Sequence, residues 1–281
     1  MQLILISGLA GAGKSTALRI LEDSGYNCVD NLPPTMLPQL VEMYSLIYNS
    51  KKIAVSLDTR SLILLRQLPS AIANLKQLGI QTKIIFLEAH EDVLIKRFSE
   101  TRRRHPLSDD KKTISDCIYE EQEVLSSISL MAHRIDTSDL SANNLRSIVK
   151  QFVEADYSQL NIVIQSFGFK YGLPIDSDFV FDVRCLPNPH YDKEIRHFNG
   201  LDEPIIDFLK KEDKVKKMID DIYNMVSPWI KEFSLDNRNY LTISIGCTGG
   251  KHRSVYIAEK LAQNIKIDNY KTITRHRHIN Q

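Results

Sequence analysis

The sequence predicts an α/β protein of two domains, and three observations carry that reading. Short β-rich runs alternate with helical periods through the first half. Near the N-terminus an apolar strand runs straight into a glycine-rich turn and a helix, and the same order returns around Gly246. The length of 281 residues also exceeds the roughly 100 to 200 that a single hydrophobic core usually serves.

Taken in order, the first half offers strands at Leu3–Ile6, Tyr26–Val29, Ile53–Leu57 and Lys83–Leu87, with a short one near Arg134–Asp136. Helical periods fill the gaps: Lys14–Asp23, Thr35–Tyr48 after the Pro33-Pro34 stop, and then stretches near Leu62–Leu78, Asp92–Arg102, Ser115–Met131 and Ala142–Ala155. Strands that alternate with helices in this way predict a parallel sheet with helices on both faces, joined by right-handed crossovers. Strand character restarts at Ile162–Gln165, which places a domain boundary near residues 155–159 and divides the chain into 1–156 and 157–281. Beyond the Gly168–Pro174 loop come a strand at Phe179–Val183, helices near Glu203–Lys211 and Asp213–Phe233, a strand at Tyr240–Ile245, a helix at Arg253–Gln263 and a last strand at Thr272–Thr274. The long helix carries Val215, Met218, Ile219, Ile222, Met225, Val226 and Trp229 at helical spacing, a stripe for core or subunit contact.

Composition narrows the class. Apolar residues at 43% and charged residues at 25% exclude a disordered chain, and the longest apolar runs fall far short of the roughly 20 residues of a membrane span. With no basic leader or cleavage pattern before the first strand, a cytoplasmic protein is expected. Cys28, Cys117, Cys185 and Cys247 form no C-x-x-C pair and no zinc-type set, so neither disulfides nor a structural metal is expected. Net charge is +1, but Lys251–Gln281 holds four lysines and three arginines against Glu259 and Asp268, a stretch that attracts polyanions or forms a solvated basic face.

Gly8-Leu9-Ala10-Gly11-Ala12-Gly13-Lys14-Ser15 fits G-x-x-x-x-G-K-[ST] at every fixed position, between an apolar strand and a helix. In such a P-loop, backbone N–H groups turn toward phosphate oxygens and the helix presents its positive dipole end to the same anion. Lys14 is expected on the β- and γ-phosphates and Ser15 on Mg²⁺. The metal also wants a carboxylate at the end of a neighbouring strand, and Asp58 closes Ile53-Ala-Val-Ser-Leu-Asp58; the alternative for Asp58 is a helix N-cap. Asp30 is a competing carboxylate where small-molecule kinases hold substrate. Arg102, Arg103 and Arg104, between two helices, stand where kinases carry a lid that closes over a triphosphate, or else form a basic surface loop.

Ile245-Gly-Cys247-Thr248-Gly249-Gly-Lys-His252-Arg253-Ser254 repeats the strand, glycine turn and helix start, with Arg253 set to grip a second phosphate. The Cys247, five residues, Arg253 spacing is also that of cysteine-dependent phosphatases, although Gly246 replaces their usual histidine. Arg184 and His190 are further polar groups that are candidates to join this loop. A regulatory nucleotide binder, a small-molecule kinase and a phosphatase at Cys247 therefore all stay open at this level.

These segments, together with Leu21–Pro33, Ser56–Arg60, Thr101–Leu107, Phe167–Lys170, Phe181–Arg184, Leu186–His190 and Gly246–Tyr256, resemble the RapZ/YvcJ family over nearly the full chain. The resemblance implies a kinase-like N-terminal domain that binds ATP or GTP with Mg²⁺ and hydrolyses them weakly, with a second nucleotide segment on Asp58, Thr59, Arg60 and Ser61. It implies a C-terminal domain similar to a phosphofructokinase subdomain that senses glucosamine-6-phosphate through Arg184, His190, Thr248, Gly249, His252 and Arg253. It further implies a homo-oligomer acting as an RNase adapter, which binds small RNA, here through Lys271, Arg275 and Arg277, and delivers it to RNase E. Tyr171 departs from the enteric pattern, which has a pocket histidine there, and Arg275–Gln281 is less basic than the enteric tail.

Overall fold

A computed structural model describes residues 1–46, 52–57, 67–109, 111–154, 160–235, 240–267 and 270–279. The chain divides into two compact units, Met1–Glu154 and Ala155–Gln281.

In the first unit the strands are β1 (Gln2–Gly8), β2 (Asn27–Val29), β3 (Lys52–Ser56), β4 (Gln81–Glu88) and β5 (His133–Asp136). They form one parallel sheet in the order β2-β3-β1-β4-β5. Leu3, Ile4, Leu5 and Ile6 of central β1 are all 0% exposed, as expected of a strand whose two faces are both covered. The helices are α1 (Lys14–Glu22), α2 (Leu37–Leu46), α3 (Leu68–Gln77), α4 (Glu91–Thr101), α5 (Ile114–Met131) and α6 (Ala142–Glu154). This is a parallel sheet whose central strand runs into the glycine-rich turn before α1.

One expected helix begins later than its apolar period suggested. Pro33 and Pro34 lead into a 3₁₀ turn, Pro34–Met36, so α2 begins at Leu37 rather than Thr35. Helix α3 starts at Leu68, with Pro69 in its first turn, where the missing N–H costs nothing; residues 62–66 lie outside the described residues.

In the second unit β6 (Asn161–Gly168), β7 (Phe179–Asp182), β8 (Tyr240–Cys247) and β9 (Lys271–His276) make a parallel sheet in the order β7-β8-β6-β9. Helices α7 (Glu203–Lys210), α8 (Asp213–Leu235) and α9 (Arg253–Ile267) join Ile162, Ile164, Leu241, Ile243 and Ile245 in one core. Strand β9 outruns the expected three residues because its register follows β6 from Asn161 to Ser166. Of the α8 stripe, Val215, Ile219, Ile222 and Val226 are buried, whereas Met225 and Trp229 stand half exposed. No helix among the described residues is long and apolar enough to cross a membrane.

Candidate functional sites

The phosphate loop begins where β1 meets its neighbour most closely. A Cβ on Gly8 would lie 2.0 Å from the Leu87 carbonyl oxygen of β4, and Gly8 has φ of +136°, so only glycine continues the chain there. Leu9 N–H donates to the same Leu87 oxygen at 2.9 Å. The turn then runs through Gly11 and Gly13, both at positive φ, and Gly13 becomes the N-cap of α1. Gly11 and Ser15 are exposed, and among the described residues the N–H groups of Gly11, Gly13 and Ser15 donate to no backbone acceptor. Ser15 is an orphan donor of the helix start, and Gly11 and Gly13 belong to the glycine turn before it, together the arrangement that binds anions. Lys14 Nζ folds back to donate to Gly8 O at 2.6 Å.

The outer side of the loop is braced by four residues not anticipated from the sequence. Arg97 Nη1 donates to Gly11 O and to Thr137 Oγ1, both at 3.1 Å, while Nη2 donates to Thr137 O at 2.7 Å. The Thr137 hydroxyl lies 3.0 Å from both Ala12 O and Glu88 O, with its one proton to share. Glu121, 0% exposed, accepts Ala10 N–H on Oε2 at 2.8 Å, and His105 Nε2 lies 3.2 Å from that oxygen. One signal for Glu121 was legible: it interrupts the buried stripe Cys117, Ile118, Leu125 and Ile128 on α5 with a carboxylate.

Arg102 caps α4 in the left-handed region (φ 51°), and Arg102, Arg103 and Arg104 are exposed. Asp30 is exposed just after β2. Asp58, Thr59, Arg60 and Ser61 lie outside the described residues. Among the described residues no cluster of three or more His, Cys, Asp or Glu is arranged to hold a metal ion.

The second glycine turn is built differently from the expectation for Arg253. That side chain is buried, and Nη1 donates to Arg184 O at 2.8 Å and Leu186 O at 2.9 Å. Its Nη2 reaches Thr248 Oγ1 only at 3.4 Å. Arg253 thus spends much of its fork tying two chain segments together, which corrects the picture of a guanidinium free to take a phosphate with both prongs. The half-exposed Arg184 makes its own two-pronged pair with Asp182 (Nε at 3.0 Å and Nη2 at 2.7 Å), and its guanidinium carbon sits 4.0 Å from the centre of the Phe169 ring. The Arg184 hydrogen bond holds the Asp182 carboxyl below its usual range. His252 is buried with Nε2 3.2 Å from Arg196 O, and burial pushes its pKa down. Thr248 and His190 are exposed, and a Cβ on Gly249 would meet nothing within 4 Å, so this side of the turn is open.

Cys247 is 3% exposed; its Sγ accepts Gly250 N–H at 3.2 Å and lies 3.1 Å from Ser254 Oγ. A Cβ on Gly246 would stand 2.4 Å from a Phe169 ring carbon and 2.5 Å from one of Phe167, so the space a phosphatase gives its histidine is filled by two rings. Tyr171 packs on His278 with ring centres 4.2 Å apart. Of the three residues expected to meet RNA, Lys271 is exposed, whereas Arg277 is nearly buried with Nη1 3.7 Å from Asp176 Oδ1, and Arg275 Nε is shut off from solvent.

Residues 1–157 match the RapZ-like N-terminal domain and residues 160–280 match the RapZ C-terminal domain. The chain belongs to the RapZ family. Among its relatives, this RapZ-family chain is 53% identical over 279 residues to a nucleotide-binding protein of Chromobacterium violaceum, covering 99% of each chain. It is 54% identical over 278 residues to one of Dechloromonas aromatica, covering 99% of this chain and 98% of that one. One of Neisseria meningitidis serogroup B is 47% identical over 277 residues, again with 99% of this chain and 97% of the relative covered. Solved structures with some similarity include shikimate kinase from Bacteroides thetaiotaomicron, at a TM-score of 0.37 and 15% identity, covering 54% of this chain and 96% of the kinase. Deoxyadenosine kinase from M. mycoides has a TM-score of 0.35 at 15% identity, covering 54% of this chain and 98% of that one.

Proposed function

We propose that this RapZ-family protein is a cytoplasmic nucleotide-binding regulator whose first unit holds ATP or GTP on Gly8–Ser15. The observation that carries this is the exposed strand-to-helix turn with the Gly11, Gly13 and Ser15 amides uncommitted to other backbone groups, above the start of α1. On binding, Lys14 leaves Gly8 O for the β- and γ-phosphates. Mg²⁺ fits this site because it needs few protein ligands: the exposed Ser15 hydroxyl, phosphate oxygens and water suffice, with Asp58 as the candidate strand-end carboxylate. Held by Ser15 and Asp58, the ion would supply charge neutralisation to the phosphates. Turnover is at most slow hydrolysis. Calorimetric titration with Mg-ATP and Mg-GTP tests this reading: micromolar binding abolished by Lys14→Ala supports it, and no binding to the wild-type chain overturns it. Phosphorylated products formed from candidate metabolites with labelled ATP would instead identify a small-molecule kinase.

The second unit is read as the sensor of a phosphosugar, glucosamine-6-phosphate by family resemblance. The open side of the Thr248-Gly249 turn, flanked by exposed Arg184 and His190, supports this, with His252 and Arg253 shaping the turn from behind. Ligand that binds only the folded state raises the melting temperature. A rise with glucosamine-6-phosphate that is lost in Arg184→Ala supports the assignment, whereas no rise at millimolar ligand refutes it. Delivery of small RNA to RNase E by a homo-oligomer completes the reading. Lys271 is the exposed basic contact for RNA, and binding should weaken with salt and with Lys271→Ala.

A further inference from the structure

The polar cluster behind the phosphate loop has a shape that a purely structural filler does not require. Oε2 of Glu121 accepts the Ala10 N–H at 2.8 Å from one side and meets His105 Nε2 at 3.2 Å from the other. The Nδ1 atom of the same ring accepts Leu107 N–H at 3.2 Å and so carries no proton, which places the ring's proton on Nε2 as a donor to the carboxylate. Both side chains are 0% exposed. Burying a carboxylate costs several kcal/mol unless it is well bonded, a cost that an apolar residue at position 121 would avoid.

What the carboxylate joins is informative. Ala10 lies in the middle of the phosphate loop, and His105 ends the arginine run. The exposed Arg102 is the left-handed cap of α4, and the exposed Arg103 and Arg104 are strung between it and this buried histidine. Further, the Phe98 ring lies 5.2 Å from the His105 ring, and its carbons come 3.5 Å from where a Cβ on Gly11 would stand. The base of the arginine segment and the floor of the loop are thus pinned to one oxygen and packed on one ring.

We infer that His105 and Glu121 are positioning residues that couple the arginine segment to the phosphate loop, so that the loop amides and the arginines take hold of a nucleoside triphosphate as one unit. This rests on Gly8–Ser15 being a nucleotide site. The γ-phosphate is the group a lid arginine distinguishes, so coupling is read in the preference for triphosphate over diphosphate rather than in diphosphate affinity.

The experiment is calorimetric titration of the full chain with Mg-ATP and Mg-ADP, on folded protein checked by circular dichroism. The wild type is expected to prefer ATP by about tenfold, the worth of a charge-assisted contact. The combined Arg102→Ala, Arg103→Ala, Arg104→Ala variant loses that preference. His105→Phe keeps the ring packing but removes the donor, and it loses the preference equally, with ADP affinity held within about twofold. His105→Gln returns an N–H to Glu121 and restores most of it. If His105→Phe keeps the preference, or loses ADP and ATP affinity together, the coupling is refuted. A wild type that binds both nucleotides without preference refutes it too, whereas no nucleotide binding at all removes the underlying site as well. Should His105→Phe not fold, hydrogen exchange on the wild type decides: Mg-ATP must slow exchange in Gly8–Ser15 and in Arg103–Leu107 together, and protection of the loop alone refutes the coupling.

Discussion

Arg97 grips Thr137 twice, through Nη1 to the hydroxyl at 3.1 Å and Nη2 to the carbonyl at 2.7 Å, and the pair closes over the carbonyls of Gly11 and Ala12. Two loop carbonyls are thus taken up, while the Gly11, Gly13 and Ser15 amides have no backbone acceptor among the described residues. Thr137→Val keeps the shape of the residue but strands the Ala12 carbonyl and one Arg97 proton. It should cost about 1–3 kcal/mol of stability, the penalty for unmet buried polar groups. It should also weaken Mg-ATP binding, and urea unfolding together with calorimetric titration measures the two effects.

Gly8→Ala should be far more damaging than its one carbon suggests. The new Cβ would overlap the Leu87 carbonyl oxygen at 2.0 Å, and its three nearest atoms are all Leu87 backbone, with no flexible side chain to give way. A loss of roughly 3 kcal/mol or more is expected from strain and displaced sheet bonding. Soluble expression and the urea midpoint report it, and a midpoint equal to wild type would contradict the β1–β4 geometry.

Arg253→Lys tests whether Arg253 ties the second unit together. A lysine keeps the charge but cannot bridge the Arg184 and Leu186 carbonyls from a planar fork. A stability loss of about 2–4 kcal/mol is expected. The chain has one tryptophan, Trp229, on α8 in this unit, so its fluorescence during urea unfolding follows the loss directly.

Acid should destabilise the second unit before carboxylates titrate. Burial holds His252 below its ordinary value of 6.5, and burial also lowers His276, where Glu259 opposes it. The unfolded chain then takes up protons at higher pH than the folded one, so stability is full above about pH 6.5 and falls as pH drops through that value toward the folded pKa. The urea midpoint followed by Trp229 should decline between about pH 7.5 and 5.5, and His252→Gln should flatten part of that decline. An unchanged slope in His252→Gln would show that the histidine does not contribute.

Much of the fold was legible because its signals are local. Leu3–Ile6 is a continuous apolar run and Tyr240–Ile245 alternates Leu241, Ile243 and Ile245 with small polar residues, and each leads into glycines and a helix, so a buried strand and a glycine turn follow from neighbouring residues alone. Register was less legible: the length of β9 depends on β6, more than a hundred residues earlier in the chain. The roles of individual cations were least legible, since Arg253 and Arg277 have the composition of ligand contacts and the surroundings of internal ties.

By itself, then, the sequence determined two α/β halves, the loop at Gly8–Ser15 and the second turn at Cys247–Arg253, because a strand, a glycine turn and a helix start are written in consecutive residues. Only the tertiary structure decided which groups hold those turns in shape: Glu121 on Ala10, Thr137 on Ala12, and Arg253 on the carbonyls of Arg184 and Leu186. The reason is that a buried hydrogen-bonding group must find its partner wherever packing brings one near, and these partners lie 67 to 125 residues away along the chain.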